Sequence, residues 1–283
     1  MPNIGLVLSG GFAKGAYQVG VLKAIKDFFK EEPIKYVSAS SIGVLNAYSF
    51  MLDKLDIAEK MWNNLNFTGF NSFLNNCVRG TYITEAINEI VNGSGELQHY
   101  LYSACFNITK VKLDYINLKE VKQCDIKSYL QASVSMPIFS TAIEISGIKY
   151  VDGGFIDNIP VQPIMKYPFD YAIVVHFDNN YLFENDYFDS KLIKINFIDN
   201  KIVRDSLAFD KNSISYMINA GYEKSMSLFN MIFQKGLDNL DFIYEKIKFI
   251  NDIRGENKFR LTGDIVINNI NKALKKIIPC KIQ

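Results

Sequence analysis

Apolar residues change their spacing repeatedly along this chain. Ile4–Leu8 is a short continuous apolar run that reads as a strand. Between residues 14 and 29, Tyr17, Val21, Ala24, Ile25 and Phe28 recur at helical spacing and predict one apolar face of an amphipathic helix. Lys35–Ala39 reads as a second strand, and Ile42–Leu52 as a helix apolar nearly all round, which predicts burial. Helical spacing returns near 55–65 and 81–92, and strand-like runs at 100–107 and 112–118. A helix fits 125–134, with Pro137 marking its end. Residues 141–151 form a hairpin pattern around Ser146-Gly147, and Tyr171–Phe177 is the unbroken apolar run of a buried parallel strand.

Strands and helices in alternation predict an α/β fold: a three-layer sandwich with a mostly parallel central sheet flanked by helices. Past residue 180 the pattern changes. Asp178–Asp189 is polar and aromatic and reads as a loop; 211–233, 237–253 and 264–277 read as helices. The expected division is a catalytic unit over 1–180 and a C-terminal helical layer over 181–283 packed on the same domain.

Composition narrows the function. With 283 residues, 48% hydrophobic and 22% charged, the chain can bury a sizeable core. A net charge of +1 gives no strong field that would draw it to nucleic acid or to anionic lipid. Cys77, Cys105, Cys124 and Cys280 are scattered without C-x-x-C spacing, so reduced, mostly buried thiols are expected rather than zinc or a disulfide framework. The first residues lack a basic leader region and no apolar run approaches membrane-spanning length, so the expected setting is cytoplasmic, with at most peripheral membrane contact.

Three short segments carry chemistry, and each falls at the carboxyl end of an expected strand, where open α/β sheets bind ligands. In Ala39-Ser40-Ser41-Ile42-Gly43, Ser41 sits at a strand-to-helix turn, the usual way to expose a nucleophilic hydroxyl; small residues on either side suit the crowding there. The plain alternative is a serine that only caps the helix. In Asp152-Gly153-Gly154 a carboxylate on a glycine-bounded loop can serve as base, or be an ordinary turn aspartate. Ser9 through Gly15 offers Gly10, Gly11 and Phe12 amides that can receive an oxyanion. This segment lacks the Gly-Lys-[Ser/Thr] of a P-loop, and Phe12 stands where a dinucleotide fingerprint needs glycine. A histidine base is the alternative to Asp152: His99 lies in a polar stretch, while His176 ends a buried strand and would complete the order Ser41, Asp152, His176.

Together these segments resemble the patatin-like phospholipase family, whose pattern is a glycine-rich oxyanion loop with a following basic residue, then G-x-S-x-G, then D-G-[GA]. The similarity extends to Gly20-Val21-Leu22, Asn46-Ala47, the segment Ala132 to Phe139, and Asn158 and Pro160, covering roughly residues 4–177. The resemblance implies a Ser41–Asp152 dyad without histidine and an oxyanion hole at Gly10, Gly11 and Phe12. Lys14, Gly15, Gly43, Gly153 and Gly154 would support these motifs. It further implies hydrolysis of lipid or phospholipid acyl esters through an acyl-serine, with no metal and no cofactor, and some relatives need a protein activator. The chain departs from the pattern in Ala39 for glycine, Phe12 for glycine, where φ > 0 would be strained, and Lys14 for arginine. Two rivals remain: an acyltransferase, which would need a Ser–His pair, and a non-catalytic lipid-binding or regulatory protein. The aromatic stretch Phe67 to Phe73 could form a lid or lipid-contact edge, or pack on the core.

Overall fold

The computed structural model describes residues 2–30, 34–64, 67–68, 82–93, 95–137, 139–178, 189–197, 208–255 and 281–282. The amino-terminal elements are β1 (Ile4–Leu8), α1 (Gly15–Phe29), β2 (Ile34–Ser40), α2 (Ile42–Met51), α3 (Leu55–Asn63), β3 (Phe67–Thr68) and α4 (Tyr82–Val91). The middle of the chain supplies β4 (Tyr100–Asn107), β5 (Lys112–Asn117), α5 (Gln123–Val134), β6 (Ile143–Ile145), β7 (Ile148–Asp152), α6 (Gln162–Met165) and β8 (Tyr171–His176). The last elements are β9 (Leu192–Asn196), β10 (Ala208–Phe209), α7 (Lys211–Ile232), α8 (Leu240–Gly255) and β11 (Lys281–Ile282).

The main sheet runs β11-β5-β4-β2-β1-β8-β9, with β7 paired to β4 and β6 hairpinned to β7. β4, β2, β1, β8 and β9 are mutually parallel, so their carboxyl ends share one edge. β1 is buried throughout because it has parallel neighbours on both sides and apolar layers on both faces. One face carries the main apolar cluster, in which Leu6, Leu8, Ile173 and Val175 meet α1 and α2. The other face is smaller: Val7, Ala172 and Val174 pack against Ile164 of α6 and Phe169. This is the expected α/β architecture, a central sheet flanked by helices.

Two elements differ from expectation. α1 is buried on nearly every side, not one face, because α7 lies along its back. A side chain at Gly20 would collide with the Ile218 carbonyl, and one at Gly221 with the Tyr17 carbonyl, so the helices meet backbone to backbone. Phe28 and Phe29 of α1 stack beside Phe229 and Phe233 at the far end of α7, with ring centroids 5.1–5.6 Å apart for Phe28–Phe29, Phe28–Phe229, Phe28–Phe233, Phe29–Phe229 and Phe29–Phe233. The region past residue 180, expected to be helical, also supplies β9, which joins the sheet beside β8. Its alternation of Leu192, Ile193 and Ile195 with Lys194 and Asn196 is short and follows a polar stretch, so the pattern escapes notice. The expected helix at 264–277 lies outside the described residues, as do most of the loop near 178–189 and the side chains of Phe67 to Phe73.

Candidate active site

Ser41 is the single residue between β2 and α2. Its backbone takes φ 53° and ψ −134°, a conformation that costs a non-glycine residue about 1–3 kcal/mol. The turn is tight enough that a Cβ at Gly43 would sit 2.7 Å from the Ser9 carbonyl oxygen and 2.8 Å from that of Leu8. Ala39, by contrast, is buried in the main apolar cluster, where its methyl group is accommodated. The Ser41 side chain makes no capping bond to α2. It stands close enough to the Asp152 carboxyl to exert a hydrogen-bonding pull that lowers that group's pKa.

Strand register explains that meeting. β2 runs along one flank of β4 and stops with Ser40 opposite Ala104. β7 comes the other way along the same flank and stops with Asp152 opposite Cys105. Two strand ends therefore meet head-on at successive residues of β4. The chain leaving β7 must hug β4: Gly153 N–H donates to the Ala104 carbonyl at 3.2 Å, and a Cβ at Gly153 would lie 2.7 Å from that carbonyl carbon. Asp152 is held by its own N–H to the Ser135 carbonyl (2.8 Å), within the Ala132 to Phe139 segment, and by Gly154 N–H to Oδ1 (2.8 Å). Burial pushes the Asp152 carboxyl up to about 7, against the opposing pull of the Ser41 and Gly154 hydrogen bonds. A carboxylate in that range can accept a hydroxyl proton near neutral pH.

The glycine-rich loop lies against the serine. Ser9 N–H donates to Val175 O (2.9 Å), and Gly10 exchanges bonds with Asn158: its N–H to the Asn158 carbonyl (3.3 Å) and its carbonyl from Asn158 Nδ2 (3.2 Å). A Cβ at Gly10 would come within 2.5 Å of Asn158 Oδ1 and 2.8 Å of Ser41 Cβ. Phe12 does take a positive φ, 50°, so the strain anticipated from that departure is present. Gly11 abuts the Phe177 ring, Gly15 lies under Trp62, and buried Lys14 places its Nζ 5.7 Å from the Phe177 ring centroid.

A family model described as Patatin-like phospholipase matches residues 6–165. The chain belongs to this family. Among curated relatives, it is 28% identical over 177 residues to a lysophospholipase nte1 of Aspergillus terreus, covering 58% of this chain and 11% of that protein. It is 26% identical over 183 residues to a probable lipid hydrolase 463L of Invertebrate iridescent virus 6, covering 57% of this chain and 63% of that one. The aligned part thus spans less than two thirds of either relative. Among solved structures, VipD from Legionella pneumophila superposes with a TM-score of 0.48 at 12% identity, over 89% of this chain and 75% of that one.

In this patatin-like chain a buried polar brace, not legible from the sequence, ties the glycine-rich loop to the helix that follows Ser41. Gln18 Nε2 donates to the Ser9 carbonyl (2.7 Å), and Asn46 Nδ2 donates to both Gln18 Oε1 and the Gly15 carbonyl (2.9 Å each). Trp62 Nε1 donates to Asn46 Oδ1 (3.1 Å). The brace links the loop, α1, α2 and α3. Its available signals were a glutamine amid the apolar residues of α1 and the chain's single tryptophan. Behind the Asp152 loop, Tyr115 of β5 donates to Asp157 at 2.5 Å, which anchors the segment leading to Asn158.

Neither histidine is among the hydrogen-bond partners that shift the Asp152 carboxyl. His176 is buried at the end of β8, opposite Asn196, and none of the bonds described at Ser41 or Asp152 involves it. His99 precedes β4 at the opposite end of the sheet; burial, Lys119 and Lys35 lower its pKa. Cys105 is buried, its thiol pushed up to about 12 by burial, whereas Cys124 is exposed. Cys77 and Cys280 lie outside the described residues. Among the described residues no cluster of three or more His, Cys, Asp and Glu side chains could hold a metal ion, and no helix is long and apolar enough to cross a membrane.

Proposed function

We propose that the protein hydrolyses carboxylic esters of lipids, in the manner of a phospholipase A, lysophospholipase or esterase, through a Ser41–Asp152 dyad. The observation that carries this reading is Ser41, on a strained strand-to-helix turn, meeting a buried carboxylate whose pKa burial has raised to about 7. Asp152 takes the hydroxyl proton as Ser41 Oγ attacks the acyl carbon. Gly10 N–H already serves Asn158, so the amides of Gly11 and Phe12 receive the oxyanion of the tetrahedral intermediate. Asp152 then gives its proton to the departing alcohol or lysolipid, leaving an acyl-serine. Water attacks that ester, again losing a proton to Asp152, and the fatty acid leaves as Ser41 recovers its hydrogen. Lys14, held between the loop and Phe177, adds positive potential beside the oxyanion. The lysophospholipase and lipid-hydrolase names of the relatives support the lipid substrate.

A p-nitrophenyl acyl ester series tests this reading with wild type, Ser41→Ala, Asp152→Asn and His176→Ala. Turnover should vanish in the first two variants and persist in the third. A serine-directed fluorophosphonate should label wild type at Ser41. Equal loss in His176→Ala, with folding intact, would replace the dyad with a triad.

A further inference from the structure

Two short turns project past the dyad at the carboxyl edge of the sheet. β4 continues two residues beyond Cys105, the partner of Asp152, before turning to β5 through Ile108, Thr109, Lys110 and Val111. At about 3.3 Å per strand residue, Ile108 lies roughly 10 Å from the level of the Asp152 rung. The start of β7 is tied to this turn: Ile108 N–H donates to the Lys149 carbonyl (2.8 Å) and Lys149 N–H to the Thr109 hydroxyl (3.0 Å).

The composition of the turn is unusual for one that only reverses the chain. Ile108 is 41% exposed and Val111 46% exposed. Val111 also has φ 50°, a left-handed conformation that a β-branched residue adopts at a cost and that asparagine or glycine would take readily. The fold therefore keeps a water-facing aliphatic side chain where a polar residue would be both more soluble and less strained. Lys110 and Lys149 stand exposed beside it. Lys112 is ion-paired with Asp114 (3.0 Å), and Glu144 lies across from Lys149, so the lysines outnumber the acids on the two turns. Aliphatic tips among lysines match the cross-section of a bilayer surface, apolar below and anionic above.

We propose that the β4–β5 turn, with the start of β7, docks the protein on an anionic phospholipid bilayer, with Ile108 and Val111 entering the headgroup boundary. Lys110 and Lys149 remain among the lipid phosphates and carboxylates. This proposal rests on the lipid-ester reading of the site and adds how the mouth meets its substrate surface: the docking edge and the dyad share one end of the sheet.

The test uses the full chain carrying Ser41→Ala, so that vesicles are not consumed, sedimented with vesicles of phosphatidylcholine alone or with added phosphatidylserine. The unaltered surface should bind the phosphatidylserine vesicles. Ile108→Asn with Val111→Asn should weaken that binding by roughly tenfold or more. Lys110→Gln with Lys149→Gln should remove most of the phosphatidylserine dependence, roughly fivefold per lysine. Val111→Asn alone should raise Tm while lowering vesicle binding, a pairing that a merely structural role would not produce. Vesicle binding unchanged by these substitutions, or none by the unaltered surface, would overturn the proposal. The catalytic reading is scored separately by hydrolysis of a soluble short-chain p-nitrophenyl ester with Ser41 intact. Hydrolysis without vesicle binding sinks the docking edge alone, and variant-sensitive binding without hydrolysis sustains it while sinking the dyad.

Discussion

Asp152→Asn should abolish turnover and, at alkaline pH, make the protein more stable. The folded protein holds the Asp152 carboxyl at about 7 against an ordinary value of 3.8, chiefly because it is buried. A raised folded-state pKa means that the native state binds the proton more tightly than the unfolded chain. Its stabilising contribution is complete below about pH 4 and is lost as pH rises through about 7. Above that, the fold carries a desolvated carboxylate. A gap of about three pH units, at roughly 1.4 kcal/mol each, sets that penalty at about 4 kcal/mol. Asparagine removes the charge and keeps an acceptor for Gly154 N–H, but leaves an amide N–H to be satisfied in a buried site, a cost of about 1–3 kcal/mol. The net gain at pH 9 is about 1–3 kcal/mol, several degrees in Tm. At pH 4.5, where the native wild type is neutral at this position, most of the gain disappears and the variant is equal or less stable. Thermal melts of wild type and variant at both pH values, beside ester hydrolysis, read this directly. A Tm difference that does not change between pH 4.5 and 9 would refute the reasoning, because Asp152 would then titrate like an exposed carboxylate.

Other expectations follow from the same geometry. In wild type, kcat/KM for a soluble ester should rise with pH through an apparent pKa near 7 and fall about tenfold per unit below it, since only ionised Asp152 can take the Ser41 proton; a profile flat from pH 5 to 8 contradicts the assignment. Gly10→Ala places a methyl group within 2.8 Å of Ser41 Cβ and should lower kcat by about a hundredfold or more, with a much smaller change in Tm, read by steady-state kinetics and calorimetry. Asn46→Ala strands Trp62 Nε1 and Gln18 Oε1 in a buried site, and denaturant titration should show a loss of about 2–4 kcal/mol.

The site was more legible in the sequence than the scaffold that assembles it. Gly43 and Gly153 are required by backbone contacts, and such contacts leave a local mark, a small residue at a fixed offset from a reactive one. That is why the segments around Ser41 and Asp152 could be read. Their pairing was implied only by the family resemblance, because their meeting depends on β2 and β7 ending at adjacent residues of β4, a long-range register with no local pattern. The Gln18–Asn46–Trp62 brace was hidden for a related reason: helical spacing identifies apolar faces, and a polar residue satisfied inside one looks like a break in the pattern. α1 was read as having a wet side because its second cover, α7, comes from far along the chain.

The close crossing of α1 and α7 at Gly20 and Gly221 bears on how this protein can be taken apart. The family match ends at residue 165, and an engineer grafting the patatin-like module elsewhere would cut there. Such a cut strips the cover from α1, putting Phe28, Phe29 and the back of the helix in water, and also removes β8, to which Ser9 is tied. The smallest portable piece consistent with these contacts runs at least through Phe233, so the unit that is inherited as a motif is shorter than the unit that must be transplanted.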